Sequence, residues 1–306
     1  MQFSVYQQSH IGGRKVNQDR MGYLYTRDAL LLVLADGMGG HLRGEVAAAI
    51  ALQSMSALFR AQATPYVKKP ERFLEDCLLQ AHQDIVRYAR ERAMPDTPRT
   101  TIVACLVQHN CAVWAHCGDS RLYWVRRGQV LSRTRDHSHL EHLIAKGLAD
   151  PSERNAHPDR NKLYSCLGAS SAPRIELSRQ ASLQPGDVIM LCSDGLWSVL
   201  PDSEIAHQLS TRGVVQAVPD MIGMATAIAG SRADNTTALA IQWQGAGEAA
   251  AGDDSVVSTQ LLPEGEVTTR IAQAAGADGD PFDEDDIEKA IAEIRDAIER
   301  SSQLLK

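Results

Sequence analysis

The run Leu30-Leu31-Leu32-Val33-Leu34-Ala35 constrains this 306-residue chain more than any other stretch. Six consecutive apolar residues need cover, and they stop abruptly on Asp36-Gly37-Met38-Gly39-Gly40. A run of this length between turn residues suits a strand buried on both faces, although periodicity alone equally allows a short buried helix. The glycines favour the strand, because they let the main chain bend tightly or approach a bound group just beyond Asp36. The alternative is a turn aspartate bonded to its own backbone. Whether Asp36 has company separates the two.

Three more aspartates sit at the end or entrance of an apolar strand-like run: Asp119 in AHCGDSRLY, Asp194 in IMLCSDGLW and Asp234 in SRADNTTALAI. Asp19, in GGRKVNQDR, precedes a short strand. These carboxylates converge if their strands are neighbours in one sandwich. Two unit charges about 4 Å apart repel by roughly 4 kcal/mol at an effective dielectric near 20, so carboxylates gathered this closely require cations. Hard oxygen donors without thiolate or imidazole select Mg²⁺ or Mn²⁺ over zinc. Two such ions bridged by a carboxylate lower the pKa of a trapped water and aim it in line at phosphorus, which is hydrolysis without a covalent enzyme intermediate. Arg14, shortly before Asp19, offers the planar fork that suits a phosphate; an ordinary exposed arginine is the alternative.

From Phe3 to Trp243 strand-like and helix-like patterns alternate without internal repeats. Strands are expected at Phe3–Gln7, Gly22–Tyr25, Ala29–Ala35, Thr101–Gln108, Ala112–Cys117, Arg121–Val125, Gln129–Arg133, Ile175–Ala181, Asp187–Cys192 and Thr236–Trp243. Helices are expected at Gly44–Gln62, Glu71–Arg92, His139–Lys146, Asp202–Ser210 and Val214–Ala229. Strands in runs separated by helix pairs indicate an α+β layered fold with mostly antiparallel strands, not a doubly wound sheet. Arg126-Arg127-Gly128 carries a hairpin signal.

The net charge of −7 is uneven: from Gly245 onward the chain is −10, and the remainder is +3. A nearly neutral body gives no support for nucleic-acid binding. No apolar run approaches the roughly 18 residues that span a bilayer, and no signal peptide begins at Met1, so a cytoplasmic protein is expected. The six cysteines form no C-x-x-C pair and mostly lie in apolar segments, as core residues do. The texture then divides the chain into a body, 1–244, an acidic Ala/Gly-rich linker expected to be disordered, 245–282, and a C-terminal amphipathic helix, 283–306, with Ile287, Ile291, Ile294 and Ile298 on one face. That helix either packs on its own domain or serves in docking or self-association; the body is expected to be a monomer.

Eight segments together resemble the bacterial metal-dependent Ser/Thr protein phosphatases of the PPM or PP2C family. They are GGRKVNQDR, VLADGMGGHLRGEVAAAIA, TTIVACLV, AHCGDSRLYWVRRGQV, TRDHS, HPDRNKLYSCLG, LQPGDVIMLCSDGLWSVL and ADNTTALAI, in the family's order across Arg14 to Ile241. The resemblance implies a four-layer αββα sandwich with two Mn²⁺ or Mg²⁺ ions at one edge. It implies that Asp36 bridges them, that the Gly37 carbonyl binds one, and that Asp194 and Asp234 complete the set. Asp119 would join Asp194 in a third, weaker site, Asp19 would act through water, Arg14 would grip the substrate phosphate, and Asn235 would orient Asp234. Residues 137–163 correspond to the family's variable flap. The implied partners are phosphorylated proteins and a cognate Hanks-type Ser/Thr kinase, in some relatives within type VI secretion.

Two departures stand out. Met38 occupies the place where animal relatives carry a histidine, which leaves proton donation to water or to His41. Pro98-Arg99 replaces the family's Met-Gly before Thr100-Thr101. His137, His139 and His142 suggest a metal cluster, but the match to the family places His137 in a structural turn. A haloacid-dehalogenase-type phosphatase fits less well, because Met38 stands where its second aspartate belongs. A catalytically silent phosphoprotein-binding module is the reading from another class, and the loss of one carboxylate would favour it.

Overall fold

The structure, a computed structural model, describes residues 1–38, 43–150, 157, 159, 162–245, 256–261 and 267–272. Gly39, Gly40, His41 and the expected helix at 283–306 lie outside them. In chain order the elements are β1 (Gln2–His10), β2 (Asp19–Tyr25), β3 (Ala29–Asp36), α1 (Gly44–Gln62), α2 (Pro70–Glu91), β4 (Ile102–Gln108), β5 (Cys111–Cys117), β6 (Arg121–Arg126), β7 (Gln129–Arg133) and α3 (His139–Ala145). They continue with β8 (Glu176–Leu177), β9 (Ala181–Ser182), β10 (Val188–Cys192), α4 (Asp194–Trp197), α5 (Asp202–Thr211), α6 (Val214–Ala229), β11 (Thr236–Gly245), β12 (Val256–Leu261) and β13 (Val267–Ala272).

The strands form two sheets, one ordered β1-β11-β10-β6-β7 and the other β13-β12-β2-β3-β4-β5-β8, with β9 also on β5. Every strand pair among the described residues is antiparallel. Side-chain alternation explains the layering. On β3, Leu31, Val33 and Ala35 pack with α1 and α2, while Leu30, Leu32 and Leu34 face the other sheet. On β10, Val188, Met190 and Cys192 pack with α5 and α6, while Ile189 and Leu191 join the middle layer. Three apolar layers between four layers of structure, two of them sheets, make the αββα sandwich, and β3 is buried on both faces. Five of the six cysteines are buried and all are free.

The hairpins have local causes. Arg127 and Gly128 both take positive φ between β6 and β7, and His109 and Asn110 do so between β4 and β5, the geometry that matches strand twist in two-residue turns. The expected strand at Ile175–Ala181 is instead two short pieces on the edge of β5. Between them the Ser178 hydroxyl accepts the Trp114 N–H at 2.9 Å, so a side chain takes one ladder bond, while the Ser178 N–H keeps the other to the Trp114 carbonyl at 2.9 Å, and the strand breaks.

Within residues 245–282, β12 pairs with β2 and β13 with β12, extending the second sheet. The open β2 edge offers main-chain partners to Val257–Gln260, and β12 in turn pairs with β13. Helical residues 214–232 are long and apolar enough to cross a membrane by length and composition. Val214, Ala217, Val218, Met221, Ile222 and Ala225 of that stretch are buried against the first sheet, which accounts for its apolarity.

Candidate active site

The two sheets bring their aspartates together at one edge. Asp19 and Asp36 are direct cross-strand neighbours at the ends of β2 and β3. Asp194 opens α4 immediately after β10, Asp234 lies just before β11, and Asp119 lies between β5 and β6. Asp36 feels Asp19, Asp194, Asp119 and Asp234 electrostatically, so all five carboxylates share one locality.

Local bonding fixes the segments that carry Asp36, Asp119 and Asp19. The Asp36 carbonyl accepts the Thr101 N–H and the Thr100 hydroxyl, both at 2.9 Å, and the Met38 N–H reaches the Arg99 carbonyl at 3.0 Å. Thr101 Oγ1 meets Ser120 Oγ at 2.6 Å, which ties the Asp36 strand to the turn that carries Asp119. Gly118, one residue earlier, has φ +114°, and a Cβ there would stand 2.6 Å from that of Thr101. The side chain of Asp19 is buried: its Oδ2 accepts from Ser193 Oγ at 2.8 Å, while its Oδ1 has no hydrogen-bond partner among the described residues. Ser193 also accepts the Thr237 N–H at 3.0 Å. Ser193 and the Thr100-Thr101 pair are supports that sequence reasoning missed; a serine inside an apolar strand end next to Asp194 was the available signal.

Arg14 reaches the cluster. Its Nη2 donates to Asp234 Oδ2 at 2.6 Å, and its charge also acts with Asp194 and Asp36. Its side chain is 57% exposed, so it stands at the mouth. Asn235 serves two partners. Its backbone N–H, not its side chain, holds Asp234 Oδ1 at 2.8 Å. The side-chain Nδ2 donates to the Ile11 and Val16 carbonyls at 2.9 and 3.1 Å, and Oδ1 accepts the Gln18 N–H at 2.8 Å. Asn235 thus pins the loop that presents Arg14. Asn235→Ala leaves three backbone groups without their partner and is expected to cost about 2–4 kcal/mol. Hydrogen exchange of residues 11–18 should accelerate in that variant; unchanged protection would show that the loop is held elsewhere.

Burial is the largest influence on Asp36 and Asp194, and like charges follow; on Asp19 burial outweighs the opposing hydrogen bonds, that from Ser193 among them. Asp36 and Asp194 are held well above the usual carboxylate range and Asp19 above it. Asp119 is pushed up to about 7 by burial and then by Asp136, with Arg121 opposing. An unfolded chain ionises aspartates near pH 4. The folded, cation-free chain therefore holds protons that the unfolded chain has lost, and its stability falls as pH rises through the folded values. Chelator-treated protein is expected to melt at a higher temperature at about pH 5.5 than at about pH 8; the reverse order would show that the aspartates ionise freely in the fold.

Facing acidic oxygens, one of them buried without a partner, form a donor set that fits hard divalent cations. The histidines do not. His139 and His142 lie on α3, and His137 instead approaches His116 and Glu176, with ligand atoms within 4.8 Å of one another. His137 Nδ1 accepts the Gly118 N–H at 3.3 Å, so in the neutral ring the proton sits on Nε2, which faces Glu176 Oε2 at 3.6 Å and has no lone pair to offer. A cleft of about 520 Å³ between β7 and β8–β9, lined by Trp114, Trp124, Arg133 and Glu176, contains none of the five aspartates.

A layered sandwich with clustered strand-end aspartates and one arginine at the rim defines the class of protein. The model for Protein phosphatase 2C matches residues 6–229, and the chain belongs to that family. The serine/threonine phosphatase stp of Listeria innocua is 28% identical over 232 residues, covering 75% of this chain and 91% of the relative. The catalytic domain of the serine threonine protein phosphatase PstP, solved in complex with 2 manganese ions, superposes with a TM-score of 0.67 at 25% identity, covering 79% of this chain and 99% of that one. PppA of Pseudomonas aeruginosa, described as a key regulatory component of its type VI secretion system, gives 0.64 at 27% identity, covering 79% and 98%.

Proposed function

We propose that this protein hydrolyses phosphoserine and phosphothreonine in proteins with the help of divalent cations, Mn²⁺ or Mg²⁺. The observation that carries the reading is the convergence of Asp19, Asp36, Asp119, Asp194 and Asp234 from separate segments, with Arg14 as the basic group at their mouth. Asp36, Asp194, Asp234 and the Gly37 carbonyl would hold two ions, Asp19 would bind through water, and Asp119 with Asp194 would hold a third more weakly. Bound there, the cations supply Lewis acidity toward the phosphoryl oxygens and lower the pKa of water.

The chain's own residues do the rest. Arg14 exchanges Asp234 for the phosphate dianion, which it binds through two parallel N–H groups. Asn235 keeps that arginine at the rim, and Ser193 holds one oxygen of Asp19 so that the other faces inward. Met38 offers no proton, which leaves protonation of the leaving alkoxide to water or to His41. We place the enzyme in the cytoplasm, opposite a Hanks-type Ser/Thr kinase; the likeness to PppA supports a setting in type VI secretion. Phosphothreonine-peptide and p-nitrophenyl phosphate hydrolysis should require Mn²⁺ or Mg²⁺, stop with chelator, and fall by about 10²–10³ in Asp194→Ala. Full turnover in chelator, or in that variant, would refute the reading.

A further inference from the structure

We propose that Arg121 is a positioning residue that sets the spacing between Asp119 and Asp194, and so the affinity of the weak third cation position; this rests on the cation-dependent reading above. The guanidinium lies two residues after Asp119, and its side chain is only 3% exposed. Nε and Nη2 donate to the two oxygens of Asp136, each at 2.8 Å, and Nη1 donates to the Tyr123 hydroxyl at 3.1 Å. Its flat face lies 3.5 Å from the ring centre of Trp197.

Those contacts reach both acid-bearing elements. Trp197 ends α4, the four-residue helix that Asp194 begins, so the cation fixes that short helix from its far end. Asp136 leads into His137, whose N–H donates to the Gly118 carbonyl at 2.9 Å and whose Nδ1 accepts the Gly118 N–H. Gly118 immediately precedes Asp119. One planar cation and its partner therefore frame Asp119 from both sides and hold the Asp194 helix against it. The Tyr123 hydroxyl, donating to Asp202 Oδ1 at 2.8 Å, extends the clamp to α5.

A buried ion pair contributes little stability beyond a well-packed apolar substitute, so stability alone gives poor reason for Arg121. Orientation gives a better one: lysine would keep the charge but lose the two parallel bonds and the stacking face.

Calorimetric titration of the full chain with Mn²⁺ tests this, alongside thermal melting. Wild type should show two tight ions and one weaker. In Arg121→Lys, and in Trp197→Leu, which leaves the ion pair intact, the weak affinity should fall by about tenfold or more while the tight ones stay within about twofold. Ile205→Val, in the core of α5, should lower the melting temperature without touching any affinity. Variants that melt lower yet bind all ions as wild type does would make Arg121 merely structural and overturn the proposal. A wild type with only two ions would overturn it as well, leaving the proposed function standing; a wild type that binds none would defeat the proposed function itself.

Discussion

Replacing Asp36 with asparagine is expected to reduce phosphate-ester hydrolysis by about 10³-fold or more, while raising the melting temperature of the cation-free protein. Both effects have one origin. Asp36 is pressed from four sides by Asp19, Asp194, Asp119 and Asp234, so its charge is tolerable only when cations offset it. Asparagine keeps the shape and removes the charge. Without cations the repulsion is relieved and the fold gains stability; with them, one of the two carboxylate oxygens proposed to hold the ions is missing. Melting curves in chelator and in Mn²⁺, beside initial rates on p-nitrophenyl phosphate, read both sides. A variant that loses activity but also destabilises the cation-free protein would place Asp36 among ordinary structural aspartates.

Gly37→Ala is expected to have the second largest effect. A Cβ at Gly37 would lie 2.4 Å from the carbonyl carbon and oxygen of Gly44 and 2.9 Å from the Gln18 carbonyl oxygen. These are backbone atoms at the first residue of α1 and beside β2, so nothing flexible can yield; the helix must back away from β3. Overpacking of this kind costs about 1–3 kcal/mol, more where backbone meets backbone. The shift also moves the Gly37 carbonyl, and hydrolysis should fall by about 10²-fold even after saturation with Mn²⁺. Gly223→Ala is the control: an added Cβ in the middle of α6 meets nothing within 4 Å and should stabilise by up to about 1 kcal/mol. If Gly37→Ala matched that control in stability and rate, the close approach of α1 would not constrain the site.

The sequence made β3 legible because a six-residue apolar run bounded by glycines has few alternatives, and the structure buries it on both faces. The aspartates were legible as a recurring position at strand ends, even though the sheet order that gathers them could not be read from any one segment. Arg14 was legible as a candidate for the phosphate, but its pairing with Asp234 was not, because the partners lie 220 positions apart. The second contact of Asn235 was hidden for a similar reason: its side chain serves the distant 11–18 loop while its backbone serves Asp234. The break between β8 and β9 depends on one serine hydroxyl standing in for a ladder bond, which no propensity records. The pairing of β12 with β2 and of β13 with β12 was not legible, because the short valine-containing runs are diluted there by Ala, Gly and acidic residues.

The most direct measurement of the central claim is anomalous diffraction from crystals soaked in Mn²⁺. Two strong peaks between Asp36, Asp194 and Asp234, with a weaker third beside Asp119, are the expected result. Clear density for all five carboxylates with no manganese peak among them would contradict it.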